Sequence, residues 1–478
     1  MKTFYITTTL PYVNADPHIG FAFELVSADI IARFRKLLGD EVFFNTGTDE
    51  HGMKIYQKAT EEGKDPQAYV DSYAKKFKQL QGPLGLLPDI HFIRTTDERH
   101  IAAAQEFWKR CLAAGDIYKA TYAMSYCVGC ELEKTDSELV LGRCPVHPNR
   151  DLQVIKEENY FFRLSKYEEK LIALYKREED FVVPAFRLNE IRSLIEEKGL
   201  EDFSISRLKS KMPWGVPVPG DEKQVMYVWF DALVNYISAI GWPTDSATFE
   251  KWWPVVQFAG KDQVRQQAVM WQAMLMSAGL PSSKQIIIHG FITSKGQKMS
   301  KSLGNVVDPL ALVQEFGTET LRWYLARHLH PFEDSDFSMA KFKEAYNADL
   351  ANGIGNLTSR IMKMAQDHLP LPPPLLRGED EGGVSQEFTN SLGSYQIQQA
   401  ATLISEAVAS LDRRIQETQP FKLVKTDAEK GRAVISELVS GLYTVARMLQ
   451  PVLPATSDKI KALIKENKMP SEPLFPRK

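Results

Sequence analysis

The chain has little cysteine and no long apolar run. Its 478 residues include four cysteines, at positions 111, 127, 130 and 144, too few for a disulfide framework. Three of them cluster, which inside a cell favours a metal over a disulfide. No stretch approaches the ~18 apolar residues that a membrane span requires. The opening "MKTFYITTTLPYVN" has one lysine and then a threonine-rich, strand-like run, without the apolar core and small-residue cleavage site of a secretory leader. A cytoplasmic protein without membrane attachment is expected. Charge of one sign is also missing, since 58 Lys/Arg against 61 Asp/Glu leave −3, so the whole chain offers no field that would gather nucleic acid. Residues 391–478 hold 13 Lys/Arg and 9 Asp/Glu, a local +4, which by itself reads as the solvated face of helices.

What is present is ordinary globular composition, 44% hydrophobic and 25% charged, in a chain long enough for two to four domains. "FYITTTL" reads as a strand, "PYVNADP" as a turn, and "FAFELVSADIIARFRKLL" as a helix with apolar residues at Phe23, Val26, Ile30, Phe34 and Leu37. "DEVFFNTGTDEHG" repeats the strand-then-loop pattern. Strands alternating with amphipathic helices predict an α/β fold on a doubly wound parallel sheet, with ligands beyond the carboxyl ends of its strands. From about residue 116 the pieces become shorter and more polar, and strand and helix character returns by about residue 216. From about residue 340 almost everything reads as helix, interrupted by the loop-like "LPLPPPLLRGEDEGG". The expected organisation is thus 1–115 as the first half of a nucleotide-binding domain, 116–215 as an insertion, 216–290 as its second half, 291–340 as a connecting region, and 341–478 as an all-α helical bundle.

Within the insertion, Cys127 and Cys130 form a CxxC, and Cys144 and His147 a CxxH thirteen residues later. Two such knuckles supply four ligands that suit tetrahedral zinc in a closed, structural site, holding together a segment too small to bury much core. A redox-active CxxC beside an unrelated cysteine is the alternative. Cys111, in the helical stretch "AAAQEFWKRCLAAG", reads as a small core residue.

Two short motifs carry the chemistry. "HIG" at His18–Gly20 lies at the turn where the first helix begins, a place where an imidazole donor and free backbone N–H groups can meet phosphate. "KMSKS" at Lys298–Ser302 follows an apolar strand and is flanked by Gly296 and Gly304, so its lysines sit on a loop able to move and to neutralise charge on a departing pyrophosphate. In this order, with an insertion between them and helices after them, the pair resembles the signature of class I aminoacyl-tRNA synthetases. With "TLPYVNADPHIG", "TGTDEHG", "FSISR", "PWGVPVP", "YVWFDALVNY" and "GNVVDP", the whole chain is similar to methionyl-tRNA synthetases of the kind with one zinc knuckle pair.

That resemblance implies a Rossmann-like catalytic domain and a ligase. It would activate L-methionine with ATP, carried with Mg2+, and transfer the methionyl group to the terminal adenosine of tRNA(Met). It implies His18, Gly20, Gly260, Asp262, Lys298 and Lys301 on the ATP side, with His18, Lys298 and Lys301 catalytic and Arg207 in support. Leu10, Tyr12, Trp229, Ala232, Leu233, Tyr236 and Gln267 would form the methionine pocket, and Asp49 would pair with the substrate ammonium. Trp229, Ala232, Leu233 and Tyr236 stand at helical offsets 0, 3, 4 and 7, a spacing that ordinary core also explains. Asn356, Arg360 and Phe421 would read the anticodon, although an exposed polar pair on a helix needs no such role. A monomer with one structural Zn2+ is expected.

The sequence departs from the family in two places. Phe21 stands where the "HIG" motif usually continues into a second histidine. Gln263, Gln267 and Gln272 stand where the family has an apolar residue, a histidine and a proline, with Gln266 beside them. A glutamine can donate and accept hydrogen bonds as the imidazole would, so Gln267 is expected to orient Tyr12 or Tyr236 in a more polar wall. The rival expectations are a class I enzyme for another apolar amino acid and a non-catalytic tRNA-binding relative.

Overall fold

A computed structural model describes residues 2–130, 132–134, 139–299, 304–370 and 384–478. The chain divides into two compact units. The first comprises Met1–Pro17, Glu41–Leu80 and Pro88–Ile288. Its centre is a six-stranded sheet built from β1 (Thr3–Thr7), β2 (Glu41–Thr48), β3 (His91–Arg94), β4 (Val182–Val183), β5 (Val255–Gly260) and β6 (Gln285–His289), in the order β3-β2-β1-β5-β6-β4. β1 runs parallel to both β2 and β5, β2 to β3, and β6 to β4. β5 is buried along its whole length, as a strand covered by helices on both faces must be. Chain order reverses between β1 and β5, and in such sheets the crevice beyond the strand ends at that point takes the ligand.

The insertion contributes a four-stranded sheet whose central pair, Ile117–Cys127 and Gln153–Phe162, is antiparallel over ten positions. Its aromatic face joins the core of the unit, where Phe107 stacks on Trp271 and Trp108 meets Phe230 edge to face.

The second unit comprises His18–Asp40, Gln81–Leu87 and His289–Lys478. Helix α1 (Ile19–Leu37) buries Phe23, Val26, Ile30 and Phe34, the expected stripe, while Leu37 is exposed at the helix end. Helices Asn356–His368, Ile397–Thr418, Ala428–Leu449 and Pro454–Glu466 pack on one another as the bundle. The start of the region expected to be helical from about residue 340 is three consecutive segments: Met339–Ala345, a π-helical stretch Tyr346–Gly355, and Asn356–His368. Of the expected loop "LPLPPPLLRGEDEGG", residues 371–383 lie outside the described residues.

One ion pair organises this unit. Arg322, on helix Thr318–Arg327, and Asp29, on α1, are both fully buried and lie 2.8 Å apart. Arg322 also donates to the carbonyls of Leu84, Pro451 and Val452, and Asp29 accepts from Arg33 and from the Leu87 amide. Removing one partner of such a pair leaves a buried charge uncompensated. Arg322→Ala should therefore cost about 3–5 kcal/mol, read as a lower midpoint in urea unfolding. Arg322→Lys should recover only part of the loss, because an ammonium cannot span all these acceptors.

Candidate active site and metal centre

In the first unit, three loops converge at the carboxyl ends of the sheet. Leu10 and Tyr12 follow β1. Asp49 follows β2 and forms a parallel bridge with Tyr12, its amide donating to the Pro11 carbonyl at 3.0 Å and its carbonyl accepting from the Val13 amide at 3.3 Å. Gly260 ends β5, and Asp262 lies in the short 3-10 turn Lys261–Gln263. Trp229 meets Tyr12 edge to face at 6.4 Å. Trp229, Ala232, Leu233, Tyr236 and Asp49 are all buried. The offsets 0, 3, 4 and 7 do not come from one helix. Trp229 and Ala232 lie on Val228–Ala232 and Tyr236 on Asn235–Ser238, with Leu233 and Val234 as the turn between them. The indole N–H of Trp229 is buried without a hydrogen-bond partner among the described residues, an arrangement that native proteins keep to a minimum unless a ligand or water completes it.

Five residues that sequence reasoning did not assign, Asp231, His51, His100, Glu50 and Arg94, fix this arrangement. Asp231, fully buried, accepts from His51 Nδ1 at 2.6 Å and from His100 Nε2 at 2.8 Å, while His100 Nδ1 faces Ser238 Oγ at 3.0 Å. Burial alone would raise the Asp231 carboxyl, but the two imidazoles outweigh it and hold the group at about 2. An ionised carboxylate only accepts, so the facing nitrogen of each ring carries its proton. Glu50, also buried, takes both Arg94 Nε (2.7 Å) and NH2 (2.9 Å). "TGTDEHG" is thereby anchored at the two residues that follow Asp49. The available signal was an aspartate inside the otherwise apolar "VWFDALV", since such a residue needs a partner.

Gln266 and Gln267 lie on a π-helical stretch, Arg265–Met270, where the helix is locally widened by i→i+5 bonding; Gln263 ends the 3-10 turn before it, and Gln272 lies on the α-helix Trp271–Ser277 after it. Gln267 Nε2 donates to the Tyr236 hydroxyl at 2.9 Å, and Gln267 Oε1 accepts from Gln257 Nε2 at 2.8 Å. Tyr236 is one of the two expected partners. Arg207, on strand Ser206–Leu208, is buried against the Tyr227 ring at 4.2 Å and bonded to Ser204 Oγ.

In the second unit, His18 is the N-cap of α1, and its Nδ1 accepts from the Gly20 amide at 3.1 Å. A Cβ on Gly20 would come within 2.9 Å of that ring, which is why glycine stands there. With Nδ1 accepting, the neutral imidazole carries its proton on Nε2. The expected free amides are occupied: Ile19 donates to the Val307 carbonyl, Gly20 to His18, and Phe21 to the His18 carbonyl. Any anion here therefore meets the imidazole and the helix dipole rather than bare N–H groups. Strands Ile292–Ser294 and Gln297–Lys298 form a hairpin whose turn residues, Lys295 and Gly296, both have positive φ, as a type I′ turn demands. Asp336 accepts from the Gly296 amide at 2.8 Å and from Thr293 Oγ1 at 2.9 Å. Gly296 thus belongs to a pinned turn, and Gly304 also has positive φ. Lys301 lies outside the described residues.

Cys127, Cys130, Cys144 and His147 bring their ligand atoms within 4.8 Å of one another. Cys130 Sγ lies 3.4 Å from Cys144 Sγ and 3.2 Å from His147 Nδ1. A Cβ on Gly129 would fall 2.6 Å from the His147 ring, so the glycine lets the imidazole fold over the knuckle. Three thiols and one imidazole suit a soft-to-borderline cation. Cys111 is buried in the core, as expected. In the bundle, Asn356 is exposed, Arg360 is paired with Asp412, and Phe421 is exposed beside Lys422.

Comparison with known proteins decides the family. The model of class I tRNA synthetases (M) matches residues 4–153 and 148–362. The methionine–tRNA ligase of Thermotoga maritima is 41% identical over 98% of this chain and 76% of its own length. That of Thermosynechococcus vestitus is 42% identical over 96% and 89%. The chain belongs to the methionine–tRNA ligases. A solved methionyl-tRNA synthetase of Mycobacterium tuberculosis, in complex with methionyl-adenylate, superposes with a TM-score of 0.90 at 35% identity, covering all of both chains. Its apo form matches with a TM-score of 0.83. In this methionine–tRNA ligase the His51–Asp231–His100 cluster holds the loops at the sheet ends, and a glutamine holds Tyr236.

The cluster has a measurable pH signature. Because the folded Asp231 carboxyl is held below its ordinary value of 3.8, at about 2, its stabilisation is present above about pH 4 and is lost as pH falls toward 2. The stake is roughly 2 kcal/mol. Denaturant unfolding at stepped pH should show this loss in the native chain, and Asp231→Asn should abolish that part of the pH dependence.

Proposed function

We propose that this methionine–tRNA ligase binds methionine in the crevice beyond β1, β2 and β5. The observation that carries the reading is Asp49, a buried carboxylate bridged through its main chain to Tyr12 just beyond the carboxyl ends of β1 and β2. A buried anion there meets the substrate ammonium, while Trp229, Ala232, Leu233 and Leu10 surround the side chain and the Tyr236 hydroxyl, held by Gln267, addresses its sulfur. Gly260 and Asp262 lie on the ATP side, with Arg207 buttressing the site from behind.

Methionine carboxylate attacks the α-phosphorus of magnesium-bound ATP. The new carboxylate–phosphorus bond replaces the bond to pyrophosphate, giving methionyl-adenylate. The reaction requires no protein nucleophile, so the chain contributes position and charge. His18 offers its Nε2–H to phosphate, and Lys298 and Lys301 neutralise the pyrophosphate as it leaves. A hydroxyl of the terminal adenosine of tRNA(Met) then attacks the carbonyl, and AMP departs. Asn356, Arg360 and Phe421 read the anticodon, with Arg360 exchanging Asp412 for a base edge. These reactants meet in the cytoplasm.

Cys127, Cys130, Cys144 and His147 hold one zinc ion, whose chemistry there is cross-linking alone, since every ligand position is taken by protein. Elemental analysis should find one zinc per chain. Chelation or Cys144→Ser should expose the segment around 127–147 to proteolysis while leaving β5 and β6 protected.

The activity is tested by amino-acid-dependent exchange of labelled pyrophosphate into ATP. Methionine should support exchange, with leucine and isoleucine far weaker. Asp49→Asn, which removes one partner of a buried charge pair, should cost about 2–5 kcal/mol, at least a 30-fold rise in KM for methionine. Exchange with another amino acid, or none, would refute the assignment.

A further inference from the structure

The glutamines around Tyr236 form a continuous path, anchored at one end by a main-chain amide. Gln272 Nε2 donates to Ser283 Oγ at 3.1 Å, and the Ser283 amide donates back to Gln272 Oε1 at 3.0 Å, fixing which end of that amide is which. Gln272 Nε2 also donates to the Gln267 carbonyl at 2.9 Å. The Ser283 hydroxyl, accepting from Gln272, donates to Gln257 Oε1. Gln257 Nε2 donates to Gln267 Oε1, and Gln267 Nε2 donates to the Tyr236 hydroxyl. Ser283, Gln257, Gln267, Gln272 and Tyr236 are all more than nine-tenths buried, so water does not compete for these groups. Turning over Gln257 alone would set oxygen against oxygen at Gln267, and turning over Gln267 alone would set nitrogen against nitrogen at Gln257.

We propose that Gln272, Ser283 and Gln257 are positioning residues that set the amino-acid preference of the site, acting through Gln267 on the Tyr236 hydroxyl. The inference rests on the reading of Tyr236 as part of the methionine pocket. Gln267 donates to the tyrosine, so the Tyr236 oxygen is the acceptor on that side, and its proton is directed away from Gln267. A thioether sulfur is a weak acceptor and a methylene is none. The relay thus lets the site distinguish methionine from norleucine, its isostere with a methylene in place of sulfur, through groups that never touch the substrate. None of the amides or the serine titrates in the physiological range, so the preference is independent of pH where an imidazole at position 267 would change charge near pH 6.5.

The test compares methionine with norleucine in pyrophosphate exchange for the native chain, Ser283→Ala, Ser283→Thr, Gln272→Met and Gln267→His, with a thermal midpoint for each. Ser283→Ala and Gln272→Met should raise KM for methionine about tenfold, move KM for norleucine less than twofold, and leave kcat for both within about threefold. Ser283→Thr, which keeps the hydroxyl, should retain the native ratio. The native ratio should be flat from pH 6 to 8, and Gln267→His should bend it. An unchanged ratio in Ser283→Ala, or equal losses with both amino acids alongside a fallen midpoint, would overturn the relay while leaving the ligase assignment intact. A native chain without methionine-dependent exchange would overturn the assignment and the relay with it.

Discussion

A carboxylate removed from water has to be paired, and Asp231 is paired twice, with rings that come from different parts of the chain. His51 belongs to the loop after β2 and His100 to helix Glu98–Ala113, while Asp231 sits in the short helix that carries Trp229. One ionised group therefore sets three elements against each other. The loop carrying Asp49 cannot shift without separating His51 from Asp231, and the helix carrying Trp229 cannot turn without breaking the bond to His100. Glu50, clamped by Arg94, adds a second anchor one residue from Asp49. The substrate-side residues are accordingly held by neighbours whose own positions are settled by charge, which is how a site keeps its geometry before a ligand arrives.

The same logic explains what could and could not be read from sequence. The parallel sheet was legible because its strands are short apolar runs ending in turn-rich loops, and the metal cluster because four ligands within 21 positions, 127 to 147, carry their geometry in their spacing. The family was legible because motifs recur in a fixed order along nearly all of the chain. The partnership of Asp231 with His100 was not, since 131 residues separate them and neither has a local pattern. The π-helical turn that presents Gln267 was not either, because a single extra residue per turn leaves helical periodicity almost unchanged. The expectation of free amides at the start of α1 failed for a related reason. The carbonyl that occupies the Ile19 amide belongs to Val307, far away in sequence.

Polar residues in a core usually weaken it unless each group finds a partner. Here glutamines replace an apolar residue, a histidine and a proline, and the fold accepts them because Gln257 on β5 and Ser283 before β6 complete the bonding. The change is thus not confined to one position. A glutamine at 267 is satisfied by an amide at 257, which is satisfied by a hydroxyl at 283, which is held by the amide at 272. Introducing any single member into a conventional site would leave the others unmet.

The pairing of Asp29 with Arg322 also has a meaning in time. The two residues are 293 positions apart, 322 − 29. At a synthesis rate of roughly 5–20 residues per second, α1 waits roughly 15–60 seconds on the ribosome before its partner is made. The N-terminal strands of the first unit have a somewhat shorter delay before β5, Val255–Gly260, arrives to join their sheet. During that interval the earliest helix of the protein carries a buried-to-be charge and an apolar stripe with nothing to cover them, the state in which nascent chains recruit chaperones. The enzyme that supplies translation with an amino acid thus cannot close this pair in its own second unit until about two thirds of its chain has been translated.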